Sequence, residues 1–382
     1  VITFNGEIYN HLDLRKELKF SEWRGTSDTE TLLVCIEEWG IELCLRKLRG
    51  MFAFALWDKK EKVLFLARDR AGEKPLYYGY VNNLFIFCSE IKALKKISEF
   101  NININREALD LYMRLGYVPT PFSIFKNVFK LLPGSYLKLD LKTYKKKICT
   151  PKKYWDIDRV IGLQKIKKDE SDVIEELDFL LKRTVKEQMI SDVPVGAFLS
   201  SGIDSSTIVS LMQCQSSKPI KTFSIGFWEK DYDEAKDAKA ISNYLGTDHQ
   251  ELYVDQKDAL NQIENLSLIF DEPFADSSNI PTVILSNLAK QKVTVALSGD
   301  GGDELFGGYN RYKIANQLNF ILNNVPIKLK NLIINILLEI SPHHWDVLYK
   351  TLCNLLFKEK HINSFGDKLH KLLDILKAND SK

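Results

Sequence analysis

The stretch Val195-Gly-Ala-Phe-Leu-Ser-Ser-Gly-Ile-Asp-Ser-Ser206 decides the fold of the second half of the chain. Its small and apolar beginning predicts a strand over Val195 to Leu199, and the Ser- and Gly-rich turn leads straight into a predicted helix. Free backbone N–H groups at such a helix start can bind a phosphate. Because a lone carboxylate would repel that phosphate, Asp204 fits here if Mg²⁺ bridges it to the ligand. The alternative is a plain turn in which Asp204 caps the helix.

A second acidic and glycine-rich loop, Ser298-Gly-Asp-Gly-Gly-Asp-Glu304, follows a predicted strand over Val293 to Leu297. Ligands of open parallel sheets bind at the carboxyl ends of the strands, so the two loops can face one another. Asp204 and Asp303 could then share a metal ion, while the backbone of this second loop contacts the nucleotide. A tight multi-glycine turn without a ligand is the alternative.

Helix and strand patterns alternate on both sides of these loops. Such alternation favours a doubly wound parallel sheet with helices on both faces. The predicted helices cover Ser171 to Met189, Ser205 to Gln213, Glu234 to Leu245 and Ile280 to Lys290, and further strands are predicted at Lys221 to Ile225 and His249 to Val254.

The amino-terminal part has short β-branched and aromatic runs bounded by turn residues, which predict a strand-rich domain. These runs are Val1 to Phe4, Met51 to Trp57, Val63 to Ala67, Leu76 to Tyr80, Leu84 to Cys88 and Ser135 to Leu139. Two helices are predicted between them, His11 to Leu18 and Thr29 to Trp39, the second after a capping Ser27. The predicted domains are therefore 1–150 and 170–382, joined by a linker over 151–169.

Composition excludes several kinds of partner. The 53 basic residues nearly balance 51 acidic ones, so no overall field favours nucleic acid or an anionic membrane. The six cysteines are scattered, without the paired spacing of a zinc site or a secreted disulfide framework, and the cytoplasm is the expected compartment. No apolar stretch approaches the roughly 20 residues that span a bilayer.

Both loops resemble a known enzyme family. The first is similar to the Ser-Gly-Gly-x-Asp-Ser loop of enzymes that cleave ATP between its α and β phosphates. The second resembles the Ser-Gly-(Asp/Glu)-Gly-x-Asp-Glu segment of asparagine synthetases, as do Tyr232-Asp-Glu234 and Asp271-Glu-Pro-Phe-Ala-Asp-Ser277. Ser201 is a departure, because the family usually has glycine there.

The resemblance implies an ATP site and an adenylation reaction. Leu199 and Ile225 would flank the adenosine, and Asp300 matches the acidic residue that is important for forming the acyl-adenylate. Asp204 and Asp303 match the carboxylates that bind Mg²⁺ and pyrophosphate. The other residues implied to contact ATP are Ser200, Ser201, Gly202, Ser205, Ser206, Ser298 and Gly299. Adenylation would turn a carboxylate of aspartate into an acyl donor that ammonia attacks.

Four amino-terminal segments resemble the glutaminase domain of the same enzymes. They are Phe4-Asn-Gly-Glu-Ile-Tyr-Asn10, Ser27-Asp-Thr-Glu30, Gly50-Met-Phe-Ala-Phe-Ala-Leu-Trp57 and Ala67-Arg-Asp-Arg-Ala-Gly72. The resemblance implies an N-terminal-nucleophile fold, an αββα sandwich. It also implies a glutamine site with Asn5 and Gly6 as oxyanion-hole donors, and with Glu7 and Asp28 binding the amino group. Asn-Gly also favours a hairpin turn, so a polar turn at Asn5 and Gly6 is the alternative.

The resemblance also implies an N-terminal cysteine nucleophile, which none of the six cysteines matches. The later lysine-bearing segment of the family has no match after Ile314. We therefore expect a fragment that lacks both ends, with an inactive glutaminase half, and able at best to use free ammonia.

The acceptor and the catalytic status stay open at this point. Relatives of the same appearance amidate sugar acids or close a β-lactam ring, and a non-catalytic nucleotide-binding paralogue would share the fold. Cysteine placement gives no support to a redox or thiolase-like enzyme. The expected partners are small molecules, namely ATP, aspartate and glutamine or ammonia. The sequence does not determine the oligomeric state, for which a homodimer is one option.

Overall fold

The structure is a computed structural model of the chain, and it describes residues 1–81, 84–97, 103–140, 142, 150–163, 167–229, 233–310, 312, 326–356 and 365–378. These residues form two compact units, Val1–Gly299 and Asp300–Lys382. The first unit contains an antiparallel region followed by a parallel one.

Two antiparallel sheets form the amino-terminal region. One has the strand order β1 (Ile2–Ile8), β2 (Gly50–Asp58), β3 (Val63–Arg68), β7 (Ser135–Asp140), β8 (Lys152–Lys153), and the other has the order β5 (Leu84–Cys88), β4 (Tyr77–Val81), β6 (Val128–Lys130). The helices of this region are α1 (His11–Glu17), α2 (Asp28–Lys47), a 3₁₀ helix (Ile91–Lys96), α3 (Arg106–Leu115) and α4 (Ile157–Ile161).

The two sheets are the inner layers of a four-layer sandwich. Along β2, Phe52 packs with Leu32 of α2 on one face of the larger sheet, while the next residue, Ala53, packs with Tyr78 of β4 on the other. The neighbouring Tyr77 points away from that interface, into a cluster with residues of the 3₁₀ helix and α3. This alternation buries both faces of both sheets. The predicted αββα sandwich is therefore confirmed.

A parallel sheet follows, with the strand order β11 (Asp248–Val254), β10 (Lys221–Phe227), β9 (Val195–Phe198), β12 (Val295–Leu297). The helices around it are α5 (Glu170–Gln188), α6 (Ile203–Cys214), α7 (Ala235–Leu245), α8 (Gln256–Ile269) and α9 (Asn279–Lys290). Ala197 packs with Val209 of α6, whereas the adjacent Phe198 packs with Phe223 and Ala289 of α9. Helices therefore cover both faces, and the doubly wound prediction is confirmed.

Four helical elements of the first unit were missed by the sequence analysis, namely the 3₁₀ helix, α3, α4 and α8. Helix α3 buries only Ala108, and α8 buries none of its residues, but α3 is strongly amphipathic, so its apolar pattern was present in the sequence. Their ends did carry readable signals. Asn105 caps α3 and Gly116 ends it in the left-handed conformation, while Asp255 begins a capping box in α8.

The second unit contains the helices α10 (Gly302–Phe306), α11 (Ile327–Glu339), α12 (Pro342–Leu356) and α13 (Phe365–Ala378). The rings of Tyr349 and Phe365 stack with their centroids 4.3 Å apart and join α12 to α13. Among the residues that the structure describes, no helix combines the length and the apolar character needed to cross a membrane.

Candidate active sites

Asn5 and Gly6 lie inside strand β1, so the alternative of a hairpin turn at these residues is wrong. Gly6 lies opposite Phe52 of β2. A Cβ atom on Gly6 would be 2.1 Å from the carbonyl oxygen of Met51 and 2.6 Å from the Cα of Phe52. Only glycine fits this close approach of two backbones.

The side chain of Asn5, a predicted oxyanion-hole donor, is held from outside its own strand. Its Nδ2 donates a hydrogen bond to the Oγ of Ser89, 3.1 Å away, just after strand β5. Because an amide nitrogen carries two protons, one remains for a ligand. The sequence analysis did not single out Ser89, which lies outside every quoted motif.

The two predicted amino-group ligands, Glu7 and Asp28, lie close together. The N–H of Ile8 donates to Oδ2 of Asp28 at 2.9 Å, which fixes that carboxylate beside β1. Burial raises the pKa of Glu7 from its ordinary value, and the negative charges of Asp28 and Asp192 raise it further. Two half-buried carboxylates that repel each other attract an ammonium group.

The start of helix α2 places Asp28. Ser27 caps the helix by accepting the N–H of Thr29 at 3.1 Å. The guanidinium of Arg15 holds the same turn by donating to the carbonyl oxygen of Ser27 at 2.9 Å. Asp28 is therefore presented by a capped helix start, as the Ser27 signal predicts.

The quoted motif at residues 67–72 is structural. Asp69 is fully buried, and its carboxylate accepts four backbone N–H groups at 2.6 to 3.2 Å, those of Phe52, Gly72, Glu73 and Lys74. Arg68 donates in turn to three backbone carbonyl oxygens. The motif thus closes a buried turn against β2, because buried polar groups need partners.

In the parallel region, residues 200–206 form a turn held by serine hydroxyls. The Oγ atoms of Ser200 and Ser205 are 2.9 Å apart, and Ser200 Oγ also accepts the N–H of Gly202 at 3.1 Å. Ser206 Oγ donates to the carbonyl oxygen of Gly202 at 2.8 Å. Gly202 is the residue before α6, and Asp204 lies in the first turn of the helix. The alternative that Asp204 caps the helix is therefore wrong.

The second loop reaches the first one at Gly299. A Cβ atom on Gly299 would be 2.6 Å from the backbone nitrogen of Ser205 and 3.0 Å from the Cβ of Asp204. The Ser298 and Gly299 backbone therefore lies against the start of α6. Glycine is required there, because a side chain would displace the helix start.

Leu199 and Ile225, the predicted adenosine neighbours, lie at the carboxyl ends of adjacent strands. Leu199 is buried, and its carbonyl oxygen accepts the hydroxyl of Ser224 at 2.5 Å. Its N–H bonds the carbonyl oxygen of Phe223 in β10 at 2.9 Å. Both residues thus lie at the edge of the sheet where the resemblance places the nucleotide.

Ser201, the departure from the family pattern, has a specific partner. Its hydroxyl donates to Oε2 of Glu234 at 3.0 Å, just before helix α7. Glu234 belongs to one of the quoted motifs, whose first residue, Tyr232, lies outside the described residues. The added hydroxyl therefore links the loop to the start of α7.

Asp300 and Asp303 belong to the second unit. Asp303 lies in the first turn of α10, and a Cβ on Gly308 would be 2.0 Å from its Oδ1, so Gly308 makes room for this carboxylate. Among the described residues, no group of three His, Cys, Asp or Glu side chains is arranged to hold a metal ion. Mg²⁺ in nucleotide sites uses one or two carboxylates together with phosphate oxygens, which fits the donor set of Asp204 and Asp303. Their pairing stays a prediction.

Comparison with known proteins adds two family matches. The sequence model described as asparagine synthase matches residues 176–382, and the one described as a glutamine amidotransferase domain matches residues 1–155.

Curated relatives match across both regions. A putative glutamine-hydrolyzing asparagine synthetase 2 of Methanocaldococcus jannaschii is 43% identical over 324 residues, which cover 84% of this chain and 61% of that protein. The glutamine-hydrolyzing asparagine synthetase 1 of Bacillus subtilis is 38% identical over 343 residues, which cover 88% of this chain and 51% of that protein. The chain thus spans between half and two thirds of the length of these relatives.

Among solved structures, a glutamine phosphoribosylpyrophosphate amidotransferase from B. subtilis, complexed with ADP and GMP, aligns with 68% of this chain and 49% of its own. The TM-score is 0.28 and the identity is 13%, which are too low to support an inference about this chain.

Proposed function

Because the chain belongs to the asparagine synthase family, we propose that it acts in the ATP-dependent synthesis of asparagine from aspartate, with ammonia that derives from glutamine. The observation that carries this proposal is the contact of Gly299 with the start of α6. That contact unites the two loops, which lie far apart in the sequence, at the carboxyl ends of parallel strands.

In the nucleotide half, the turn at residues 200–206 binds the phosphates of ATP. The hydroxyls of Ser200 and Ser205 preorganise the turn, so its N–H groups need little reorganisation when the pyrophosphate leaves. Leu199 and Ile225 flank the adenosine, and Ser298 with Gly299 contacts ATP from the second loop. Asp300 assists formation of the acyl-adenylate, whose AMP is a good leaving group for attack by ammonia.

Asp204 and Asp303 would hold Mg²⁺, which when bound offsets the negative charge of the phosphates. Asp204 is half-buried in the first turn of α6, where its carboxylate can reach a ligand at the helix start. Gly308 keeps space for the carboxylate of Asp303.

In the amino-terminal half, Glu7 and Asp28 bind the amino group of glutamine. Their closeness and the raised pKa of Glu7 support this role, because a bound cation relieves the repulsion between them. Asn5 and Gly6 stabilise the oxyanion that forms when the side-chain amide of glutamine is attacked.

The proposal extends to the compartment and the partners. The five cysteines that the structure describes are free thiols, which supports the reducing cytoplasm. The partners are small molecules, and we propose no nucleic-acid ligand. A homodimer stays a prediction.

The test is pyrophosphate release by the full-length protein with ATP, Mg²⁺ and ammonium, in the presence or absence of aspartate. We expect aspartate-dependent release that yields AMP and asparagine, and at least about a 100-fold loss in Asp204→Ala, the size of effect seen when one electrostatic stabiliser of a transition state is removed. Asp248→Asn is the matched control, because Asp248 pairs with Lys221 on the surface at 3.0 Å, at the opposite ends of the strands. Release with a sugar acid and none with aspartate would move the function to another amidation, and no release with either would contradict a ligase.

A further inference from the structure

A short segment after helix α8 anchors the parallel region onto the amino-terminal sandwich. Glu272 is its centre, with a side chain only 9% exposed. Its carboxylate accepts the N–H of Ile124 at 2.7 Å and the hydroxyl of Tyr77 at 3.4 Å, and it pairs with Lys130 at 2.5 Å. All three partners belong to the sandwich.

The neighbouring Asp271 binds the first backbone N–H groups of the 3₁₀ helix. Its Oδ2 accepts the N–H of Ile91 at 2.5 Å, and its Oδ1 accepts the N–H of Lys92 at 3.4 Å. The ammonium of Lys92 donates back to the carbonyl oxygen of Leu268 at 2.9 Å. A backbone bond of 2.7 Å from Ala275 to Gly116 closes the far end of the segment.

This anchor lies directly beside the glutamine site. Ser89, which holds the side chain of Asn5, is two residues before Ile91, whose N–H Asp271 binds. Asp271 is therefore connected to Asn5 by a hydrogen bond to Ile91, two residues of backbone back to Ser89, and a second hydrogen bond from Asn5. A carboxylate of the nucleotide half thus helps to fix the loop that orients the predicted oxyanion donor.

We propose that Asp271 and Glu272 form an interdomain latch which orients Asn5 through Ser89, so that glutamine hydrolysis requires the docked nucleotide half. The latch rests on the proposed function. Asp271, Glu272 and Ser89 are positioning residues, because none of them touches the substrate in this scheme. Directional contacts suit the task, since two carboxylates on five donors define one docking geometry, which an apolar patch would not.

The experiment compares Asp271→Asn, Glu272→Gln and Ser89→Ala in the full-length protein, with Asp248→Asn as the surface-charge control. Each latch variant should lower kcat for glutamine hydrolysis about tenfold with KM unchanged, because an oxyanion donor acts only in the transition state. Ammonium-dependent pyrophosphate release should stay within about twofold, which also shows that each variant folds. Amide hydrogen exchange at Ile91 in Asp271→Asn, and at Ile124 in Glu272→Gln, should be at least about tenfold faster.

Three results would overturn the latch. One is unchanged amide exchange at Ile91 and Ile124, and another is a rise in KM for glutamine with kcat unchanged. The third is an equal fall of the glutamine and ammonium reactions, which a merely structural role predicts. If the unsubstituted protein releases no pyrophosphate at all, the proposed function fails separately, and exchange at Ile91 and Ser89 in Asp271→Asn still decides whether the latch fixes the Asn5 loop.

Discussion

The glutamine site and the nucleotide loop are built from different kinds of backbone. In the glutamine site, Gly6 lies against β2 with no room for a Cβ, and Asp28 comes from a helix start about twenty positions along the chain. In the nucleotide loop, Ser201 and Gly202 are exposed, and the hydroxyls of Ser200, Ser205 and Ser206 bond to atoms within five residues of themselves. Ser201 is the exception, because its hydroxyl bonds to Glu234.

The difference follows the charge of the ligands. An ammonium group needs carboxylates, which repel one another and must be forced together by the surrounding fold. A phosphate can use the backbone N–H groups that any helix start exposes, so a local turn suffices. We therefore expect substitutions that disturb the backbone packing of the glutamine site to cost stability, whereas those in the nucleotide loop should chiefly affect ligand binding.

The largest expected effect is that of Gly6→Ala. The new Cβ would lie 2.1 Å from the carbonyl oxygen of Met51, so strands β1 and β2 must separate. The free energy of unfolding should fall by about 3 kcal/mol or more, measured by urea denaturation. Gly202→Ala is the matched control, because its Cβ would meet only two serine hydroxyls, that of Ser200 at 3.2 Å and that of Ser205 at 4.0 Å. Its cost should stay below about 1 kcal/mol. Equal losses of unfolding free energy in both variants would contradict the proposed difference between the glutamine site and the nucleotide loop.

Gly299→Ala should instead weaken the nucleotide site. Its Cβ would lie 2.6 Å from the nitrogen of Ser205, so the start of α6 must shift. A displacement that costs about 3 kcal/mol corresponds to about 100-fold weaker binding of a nonhydrolysable ATP analogue, measured by calorimetry. Unchanged affinity would show that the two loops do not form one site.

Ser27→Ala should have a smaller effect. Ser27 caps α2 through the N–H of Thr29, and losing a cap costs about 1 kcal/mol. Thermal unfolding should show this loss, together with weaker glutamine binding, since Asp28 is the next residue. Ser267→Ala is the control, because that exposed hydroxyl bonds only within its own helix. Equal stability and equal glutamine binding in the two variants would show that the Ser27 cap does not position Asp28.

The smallest expected effect is a gain. Burial and the charge of Asp28 raise the pKa of Glu7 above its ordinary value of 4.5, so ionised Glu7 destabilises the folded state at neutral pH. Glu7→Gln should raise the free energy of unfolding at pH 7 by less than about 1 kcal/mol, the range of partly exposed charge interactions. The gain should vanish below pH 4.5, where Glu7 is protonated in both states. A gain that persists in acid would exclude repulsion as its cause, and exposed Glu22→Gln serves as the control.

The sequence predicted those elements that are specified by consecutive residues. Strand β5 matches its predicted bounds, and both loops were found because their residues are consecutive in the sequence. The glutamine-site residues came from the family resemblance, and their roles stay predictions. Helix α8 was missed because none of its residues is buried, whereas α3 was missed although its residues follow an amphipathic pattern.

The residue pattern by itself predicted the strand-rich amino-terminal domain, the doubly wound parallel sheet and the two loop motifs, because side-chain periodicity and turn chemistry act between near neighbours. The αββα sandwich was implied by the family resemblance. The tertiary structure alone decided that Gly299 lies against Ser205, that Ser89 holds Asn5 and that Glu272 is paired with Lys130 across the two regions. These contacts join residues that are far apart in the chain. They depend on how the packed layers dock, which no local pattern specifies.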